Sequence, residues 1–136
     1  MQAYYDFVSQ FSTQEVAFVR VGQELYAPGE LVTKKAPLVY MTQRLGRIDR
    51  RGFHPSVALL DVLGGLSDRK AVLTEKAAWL FLCKRNALKE GIVSCNAEEG
   101  EVLVVNARDE ILGYGKITGA GITNKLDRGD FLRRER

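Results

Sequence analysis

Lysine and arginine side chains recur through the second half of the chain, and such cations bind phosphate oxygens. Three of them, Lys84, Arg85 and Lys89, are close neighbours in the sequence. The others, nearer the end of the sequence, are Lys116, Lys125, Arg128, Arg133 and Arg134. If folding brings these cations onto one face, that face would bind RNA mainly through phosphates, with steep salt dependence and limited sequence selectivity.

Charge is unevenly distributed along the chain, although the net value is only +3. Residues 1–33 carry a charge of −3 and residues 52–112 carry −2, whereas residues 34–51 carry +5 and residues 113–136 carry +3. Two basic blocks of this kind indicate a polyanionic partner more than a catalytic pocket. Composition by itself favours the plainer interpretation, a solvated surface rich in lysine and arginine.

The stretch Gly113-Tyr-Gly115 ends an apolar run and is followed at once by Lys116. Glycines in a strand let another backbone approach closely, and the neighbouring lysine would suit a phosphate backbone. Tyr114 could stack on a base or fill the core, and its position in the strand between two glycines favours the core.

Motifs for cofactor binding and for acid–base catalysis are weak. A dinucleotide-binding loop needs a third glycine where Thr118 stands, and a helix after it, but the following residues are poor helix formers. The single histidine, His54, has no recognisable nucleophile or carboxylate partner, so we expect a structural role at a helix start. Asp127 and Asp130 lie among cations and are expected to be salt-bridged surface carboxylates. No catalysis and no cofactor are therefore predicted.

The two cysteines, Cys83 and Cys95, lack the spacing of a zinc site, so no metal is predicted. Cys83 lies in an apolar run and is expected to be a buried free thiol. No apolar run approaches the roughly 18 residues of a membrane-spanning helix, and the first residues do not have the pattern of a signal peptide. We therefore expect a reduced intracellular protein, cytoplasmic, or nucleolar if it is eukaryotic.

The first half of the chain, residues 1–66, is predicted to form a small domain of mixed α and β structure. The expected elements are a helix over 2–11, a hairpin of 16–21 with 24–27, a short helix from Pro28, a strand over 38–42, and a helix over 54–63 with proline in its first turn. The basic stretch 43–52 reads as a loop or an exposed strand pair. Gly64-Gly-Leu-Ser-Asp68 is the expected domain boundary.

The second half, residues 67–136, is predicted to be mostly strands around one helix. A strand over 70–73 precedes Thr74, a predicted helix N-cap. The helix that follows would carry Ala78, Phe81, Leu82 and Leu88 on one side and end before Gly91. Next come a strand at 92–93, a hairpin with a five-residue loop at 106–110, and a closing segment over 129–133.

These residues resemble a PUA domain, a small β-pseudobarrel that binds structured RNA. The resemblance lies in Arg69-Lys-Ala-Val-Leu-Thr-Glu, in Leu88-Lys-Glu-Gly-Ile-Val and in Glu101-Val-Leu-Val-Val-Asn followed by Leu112-Gly-Tyr-Gly. Residues 54–63 and 127–135 resemble the segments that flank this domain in the Nip-seven family of assembly factors for the large ribosomal subunit. The resemblance implies an α+β protein with an N-terminal domain packed on a C-terminal PUA domain.

The resemblance also implies a function without catalysis, archaeal in type, on precursor ribosomal RNA and pre-large-subunit particles. The RNA-processing exosome is a further candidate partner. The family's RNA-binding face would fall on Lys84, Arg85, Lys89, Gly91, Lys116, Arg133 and Arg134, which Lys125 and Arg128 could join. Two other hypotheses are an RNA-modifying enzyme or an accessory RNA-binding subunit of one, and an adaptor that binds acidic proteins.

Overall fold

The computed structural model describes residues 1–28 and 41–129. The elements of the first part are α1 (Gln2–Ser9), β1 (Val19–Val21), β2 (Glu24–Pro28), β3 (Met41–Asp49), β4 (Gly52–Pro55) and α2 (Val57–Gly64). Those of the second part are β5 (Lys70–Leu73), α3 (Glu75–Leu82), β6 (Ala87–Leu88), a 3-10 helix (Lys89–Gly91), β7 (Ile92–Cys95), β8 (Glu101–Val105), β9 (Ile111–Thr118) and β10 (Gly121–Asp127). The fold is mixed α+β, as the sequence predicts.

The first sheet is antiparallel, with its strands in the order β1-β2-β3-β4. The predicted hairpin is confirmed, because β1 and β2 pair around a turn in which Gly22 has a φ of 62°, a conformation that glycine adopts without steric cost. The predicted N-terminal helix is confirmed as α1, which buries Tyr4, Phe7 and Val8 at helical spacing.

The helix predicted over residues 54–63 begins later in the structure. His54 and Pro55 belong to β4, and α2 starts after Ser56, whose Oγ accepts a hydrogen bond from the backbone N–H of Leu59 (3.4 Å). The residue before a proline prefers extended backbone, so His54 continues the strand instead of starting the helix. The expectation that proline lies in the first helical turn was wrong.

The basic stretch 43–52 forms the paired strands β3 and β4 and the turn between them, which is the second of its two predicted alternatives. Residues 41–42 of the strand predicted over 38–42 belong to β3. The rest of that strand, the helix predicted from Pro28, and residues 130–133 of the predicted closing segment lie outside the described residues.

The second sheet has the order β6-β10-β9-β8-β5-β7, in which β5 and β8 are parallel and the other neighbours antiparallel. The 3-10 helix connects the two edge strands β6 and β7, so the sheet closes almost into a barrel. The predicted hairpin of β8 and β9 is confirmed. Its loop is held by Asn106, whose Oδ1 accepts hydrogen bonds from the backbone N–H groups of Arg108 and Glu110 (both 3.0 Å).

Helix α3 begins where the sequence predicts and ends sooner. The Oγ1 of Thr74 accepts a hydrogen bond from the backbone N–H of Ala77 (3.2 Å), which confirms the predicted N-cap. The helix ends at Leu82, and Leu88 lies in β6 with 62% of its surface exposed. Cys83 follows the last helical residue and is exposed, so the prediction of a buried thiol was wrong.

Two hydrophobic clusters lie on opposite faces of the second sheet. The first contains buried residues of both halves, including Tyr4 and Leu59 with Leu103 of β8 and Tyr114 of β9. The second lies between α3 and the sheet and is represented by Phe81, Leu73, Val102, Val104 and Ile122. Because the first cluster is shared, the N-terminal elements pack directly on the pseudobarrel. The division into residues 1–66 and 67–136 stays a prediction.

Candidate functional site

A cleft of about 610 Å³ opens at the end of α3. It lies between that helix, β6 and the 3-10 helix, and its lining residues are Thr74, Lys76, Ala77, Leu80, Lys84, Arg85, Asn86, Leu88, Glu90 and Gly91. Three of these side chains are cationic and one, Glu90, is a carboxylate. The cleft therefore has a local excess of positive charge around an apolar floor, which suits a ligand that is anionic and carries apolar surface.

The backbone that ends α3 positions two of these cations. The N–H of Lys84 donates to the carbonyl of Phe81 (3.1 Å), and the N–H of Arg85 donates to the carbonyl of Leu80 (3.1 Å). These two bonds form a Schellman motif, and its left-handed position is occupied by Lys84 with a φ of 67°. Glycine is the usual residue there because a side chain in this conformation costs about 1–2 kcal/mol. The chain accepts this cost and places a lysine beside the cleft.

Gly91 has an intramolecular packing role at the cleft. A Cβ at this position would lie 2.5 Å from the Cβ of Ala77, so glycine allows the 3-10 helix to lie directly against α3. The N–H of Thr74 donates to the carbonyl of Gly91 (2.9 Å) and fastens the two segments. Lys89 precedes the lining residue Glu90 and is itself exposed at the edge of the cleft.

Lys116 and Lys125 lie elsewhere, on the face of the sheet that meets α1. The Nζ of Lys125 lies 3.5 Å from one carboxylate oxygen of Glu101. The other oxygen of Glu101 accepts a hydrogen bond from the side chain of Gln10, in the segment after α1 (3.1 Å). Lys116 stands directly opposite Glu101 in the pairing of β8 with β9. Asn124, the neighbour of Lys125, instead faces α3, where its amide donates to the carbonyl of Phe81 (2.9 Å).

Arg128 joins the two halves of the molecule. Its Nε donates a hydrogen bond to the carbonyl of Ile111 (3.0 Å), and its guanidinium is bonded to the carboxylate of Asp61 in α2. Arg133 and Arg134 lie outside the described residues. The described members of the predicted RNA-binding set thus occupy three places, and the cleft brings together Lys84, Arg85 and Gly91, with Lys89 at its edge.

The glycines of Gly113-Tyr-Gly115 serve the packing of the sheet. A Cβ on Gly113 would lie 1.9 Å from the carbonyl oxygen of Leu126, and one on Gly115 would lie 2.3 Å from that of Thr123. The backbone that approaches closely is therefore β10. Tyr114 is 8% exposed and packs edge-on against Phe7, with ring centroids 5.3 Å apart, so the predicted core role is confirmed. Burial, together with the nearby charge of Glu101, raises its pKa.

The other titratable residues singled out in the sequence also have partners. The Nε2 of His54 lies 3.0 Å from a carboxylate oxygen of Asp49 on the exposed β3–β4 hairpin. That hydrogen bond, and a second from the backbone N–H of Arg51, lower the pKa of Asp49. Asp127 is 2% exposed and accepts a hydrogen bond from Asn124 (3.2 Å), so its predicted position on the surface was wrong. It lies at the end of β10, a strand with a neighbour on each side, and its carboxylate is held against Asn124 of the same strand.

Within residues 1–28 and 41–129, no group of three or more histidine, cysteine, aspartate or glutamate side chains is arranged to hold a metal ion. The helices within these ranges are also too short or too polar to cross a membrane.

Sequence reasoning missed two residues beside the cleft, Lys76 and Trp79. Both lie on the solvent face of α3, opposite the buried Ala77, Ala78 and Phe81. Helical spacing could have placed them together, because Lys76 and Trp79 are three positions apart and such residues share a face of a helix.

Comparisons with known proteins agree with this architecture. Residues 69–136 match the model of the family described as the UPF0113 PUA domain. A solved structure described as that of a conserved PUA domain protein from Thermoplasma acidophilum superposes with a TM-score of 0.63 at 17% identity, covering 98% of this chain and 92% of that one. At this identity the likeness concerns the fold alone. No curated protein matches the chain. With half of its length matched by the family model, the chain belongs to the UPF0113 PUA domain family.

Proposed function

We propose that this protein binds RNA without catalysing a reaction and acts in the assembly of the large ribosomal subunit. Its direct partners would be precursor ribosomal RNA and pre-large-subunit particles, with the RNA exosome as a further contact. Membership of a PUA domain family supports RNA binding, because PUA domains generally bind RNA. The finer assignment, to ribosome assembly, is supported by the resemblance of residues 54–63 and 127–135 to the Nip-seven family.

The observation that carries the proposal is the pairing state of the cations. Among the described residues, Lys76, Arg85 and Lys89 form no ion pair, whereas Lys125 and Arg128 are each bound to a carboxylate. A cation that is already paired must give up its carboxylate before it can bind a phosphate. Lys76, Arg85 and Lys89 do not have this cost and are grouped at the α3 cleft and its edge, so phosphate binding is expected there first.

The residues of the cleft suit binding rather than catalysis. Its polar side chains are mainly cations and the amide of Asn86, which neutralise and orient phosphates. The hydroxyl of Thr74 is engaged as the helix cap, so it is not arranged as a nucleophile. Glu90 has no histidine among the lining residues to act with it. This chemistry favours an RNA-binding protein over an RNA-modifying enzyme.

A charge-reversal experiment tests the location of the site. The pair Lys84→Glu and Arg85→Glu should weaken binding to ribosomal RNA fragments by about 10- to 100-fold, because each lost contact contributes on the order of 1 kcal/mol or more and reversal adds repulsion. Fluorescence anisotropy at several salt concentrations measures this, and the log–log salt slope should become shallower by about 0.7–0.9 for each lost phosphate contact.

The matched control is Lys116→Glu with Lys125→Glu, which changes the net charge by the same amount on the other face of the sheet. Its affinity should stay within about threefold of that of the wild type, since distant charges are largely screened at physiological salt. Equal losses in both pairs would mean that RNA responds to net charge alone, and the cleft would not be the site. Circular dichroism before binding ensures that each variant is folded.

The assignment to ribosome assembly needs a measurement on particles. The protein, crosslinked to RNA in cells, should yield fragments of precursor ribosomal RNA, and in a density gradient it should sediment with incomplete large subunits. The cleft variant Lys84→Glu with Arg85→Glu should lose both signals. Crosslinks dominated by transfer RNA would overturn this assignment while leaving RNA binding in place. New modified nucleosides in RNA incubated with the protein and a methyl donor would favour the enzyme hypothesis.

A further inference from the structure

We propose that Trp79 is a stacking platform for one unpaired RNA base, beside the cations that hold the neighbouring phosphates. The proposal rests on the proposed function, and it adds the kind of RNA that the cleft selects. Trp79 is 66% exposed, although burial of an indole would be strongly favourable. No other ring of the described residues packs against it.

The surroundings of Trp79 connect it to the cleft. It lines a shallow depression of about 680 Å³ together with Thr74, Glu75, Lys76 and Leu80. Three of these four, Thr74, Lys76 and Leu80, also line the 610 Å³ cleft, so the two depressions adjoin each other on α3. A strand of RNA lying in the cleft would therefore contact residues of α3 that lie within about one helical turn of Trp79, about 5.4 Å along the helix axis.

The chemistry of this face favours RNA over a protein as its occupant. Apolar surface, contributed by the exposed Trp79 and Leu88 and the half-buried Leu80, adjoins the cations Lys76 and Arg85. An aromatic face next to lysine and arginine is the arrangement by which proteins hold single strands, with bases on the ring and phosphates on the cations. Two carboxylates, Glu75 and Glu90, also line the two depressions, against three cations, Lys76, Lys84 and Arg85.

A base can stack on an indole only when its own face is free, so the platform selects unpaired nucleotides. Bases in a duplex are stacked on one another and present only their edges, so a duplex would engage the cations alone. The cleft should therefore bind an RNA loop, bulge or single-stranded end more tightly than a duplex of the same length.

The experiment uses the full chain and its only tryptophan. Because the sequence contains one tryptophan, all indole emission reports on position 79. The probe is a labelled, unstructured RNA of about ten nucleotides, within the range that compact single-strand sites cover. We expect quenching of the emission that saturates at the same RNA concentration as the anisotropy of the label, with free N-acetyltryptophanamide as the control for absorption. The duplex form of the same RNA should bind without comparable quenching.

Variants then separate stacking from charge. Trp79→Ala should weaken binding of the single strand by roughly 5- to 150-fold, the loss expected for one stacked base, and Trp79→Phe should retain most of the affinity. Binding of the duplex should change little in either variant. Val21→Ala, which shortens another exposed apolar side chain, 49% exposed in β1, is the matched control and should bind as the wild type does.

The outcomes distinguish this proposal from the one on which it rests. Anisotropy that rises without quenching, together with wild-type affinity of Trp79→Ala, would overturn the platform and leave RNA binding at the cleft intact. The absence of any anisotropy change would overturn both. Quenching of equal size by single strand and duplex would exclude base stacking. Quenching by an acidic peptide but not by RNA would overturn the proposal in favour of a protein partner.

Discussion

Tyr114 and Trp79 are aromatic residues of the same PUA domain in opposite surroundings. Tyr114 is 8% exposed in the middle of β9, where it packs against Phe7 and joins the two halves of the molecule. Trp79 is 66% exposed on the outer face of α3. The glycines beside Tyr114 let the chain pack around it, whereas the residues beside Trp79 leave its ring open to solvent.

The contrast separates two signals that look alike in a sequence. An aromatic between glycines in a strand indicates close packing of backbones, because glycine inside a strand often marks the place where another backbone approaches closely. An aromatic on the polar face of a short helix is not packed against the rest of the fold. A ligand that covers it buries apolar surface, which contributes favourably to binding. Candidate binding residues in this protein are therefore better sought on α3 than on β9.

The largest expected effect is on the free energy of unfolding, when the ring of Tyr114 or that of Trp79 is removed. Tyr114→Ala should lower the free energy of unfolding by about 3–5 kcal/mol, as large-to-small changes of core aromatics do. Trp79→Ala should change it by no more than about 0.5 kcal/mol. Urea denaturation followed by far-ultraviolet circular dichroism measures both variants without relying on tryptophan emission. Similar losses in the two variants would mean that Trp79 has a structural role and would weaken the case for a stacking platform.

A smaller loss of stability is expected when a glycine beside Tyr114 is replaced. Gly113→Ala would place a methyl group 1.9 Å from the carbonyl oxygen of Leu126, and relief of this clash should cost about 1–3 kcal/mol or more. Gly119→Ala is the control, since its Cβ would meet nothing within 4 Å, and its stability should stay within about 1 kcal/mol of the wild type. Equal stability of the two variants, by the same denaturation assay, would show that β10 can move away from β9 at little cost.

The sequence predicts the elements of this fold well where the signal is local. The N-cap at Thr74, the loop that begins at Asn106 and the turn at Gly22 each depend on residues within a few positions, and the structure has them where expected. The end of α3 was placed too late because the residue in its left-handed cap is Lys84 rather than glycine. A lysine is a much weaker stop signal than a glycine, because it is also common inside helices.

Only part of the candidate site was predictable from the sequence, because its other features depend on contacts between residues that are far apart in the chain. Lys84 and Arg85 follow from the resemblance to PUA domains, and the structure places both beside the cleft. Arg128 was expected among the RNA-binding cations, yet it pairs with Asp61, which lies 67 positions earlier. No local pattern reveals a partner at that separation. The exposure of Trp79 likewise depends on which face of α3 the sheet covers.

The smallest expected effect concerns the left-handed cap beside the exposed ring. Lys84→Gly should raise the free energy of unfolding by about 0.5–1 kcal/mol, because glycine adopts a φ of 67° without the steric cost that lysine has, although it loses more entropy on folding. The same substitution should weaken RNA binding, since it removes a cation from the cleft. Stability and affinity would then change in opposite directions, as expected of strain retained for function.

Asp109→Gly is the matched control. Among the described residues other than glycine, Lys84 and Asp109 are the two with a positive φ, and Asp109 (62°) lies in the β8–β9 loop, away from the cleft. Its substitution also removes an ion pair with Lys70 (3.0 Å), whose side chain is only 15% exposed, and this loss of on the order of 1 kcal/mol offsets the gain from relieving backbone strain. RNA affinity should not fall, because no phosphate contact is lost. If Lys84→Gly gained stability and still bound RNA as tightly as the wild type, the strain at this cap would have no role in binding, and Arg85 with Lys76 would have to account for the affinity of the cleft.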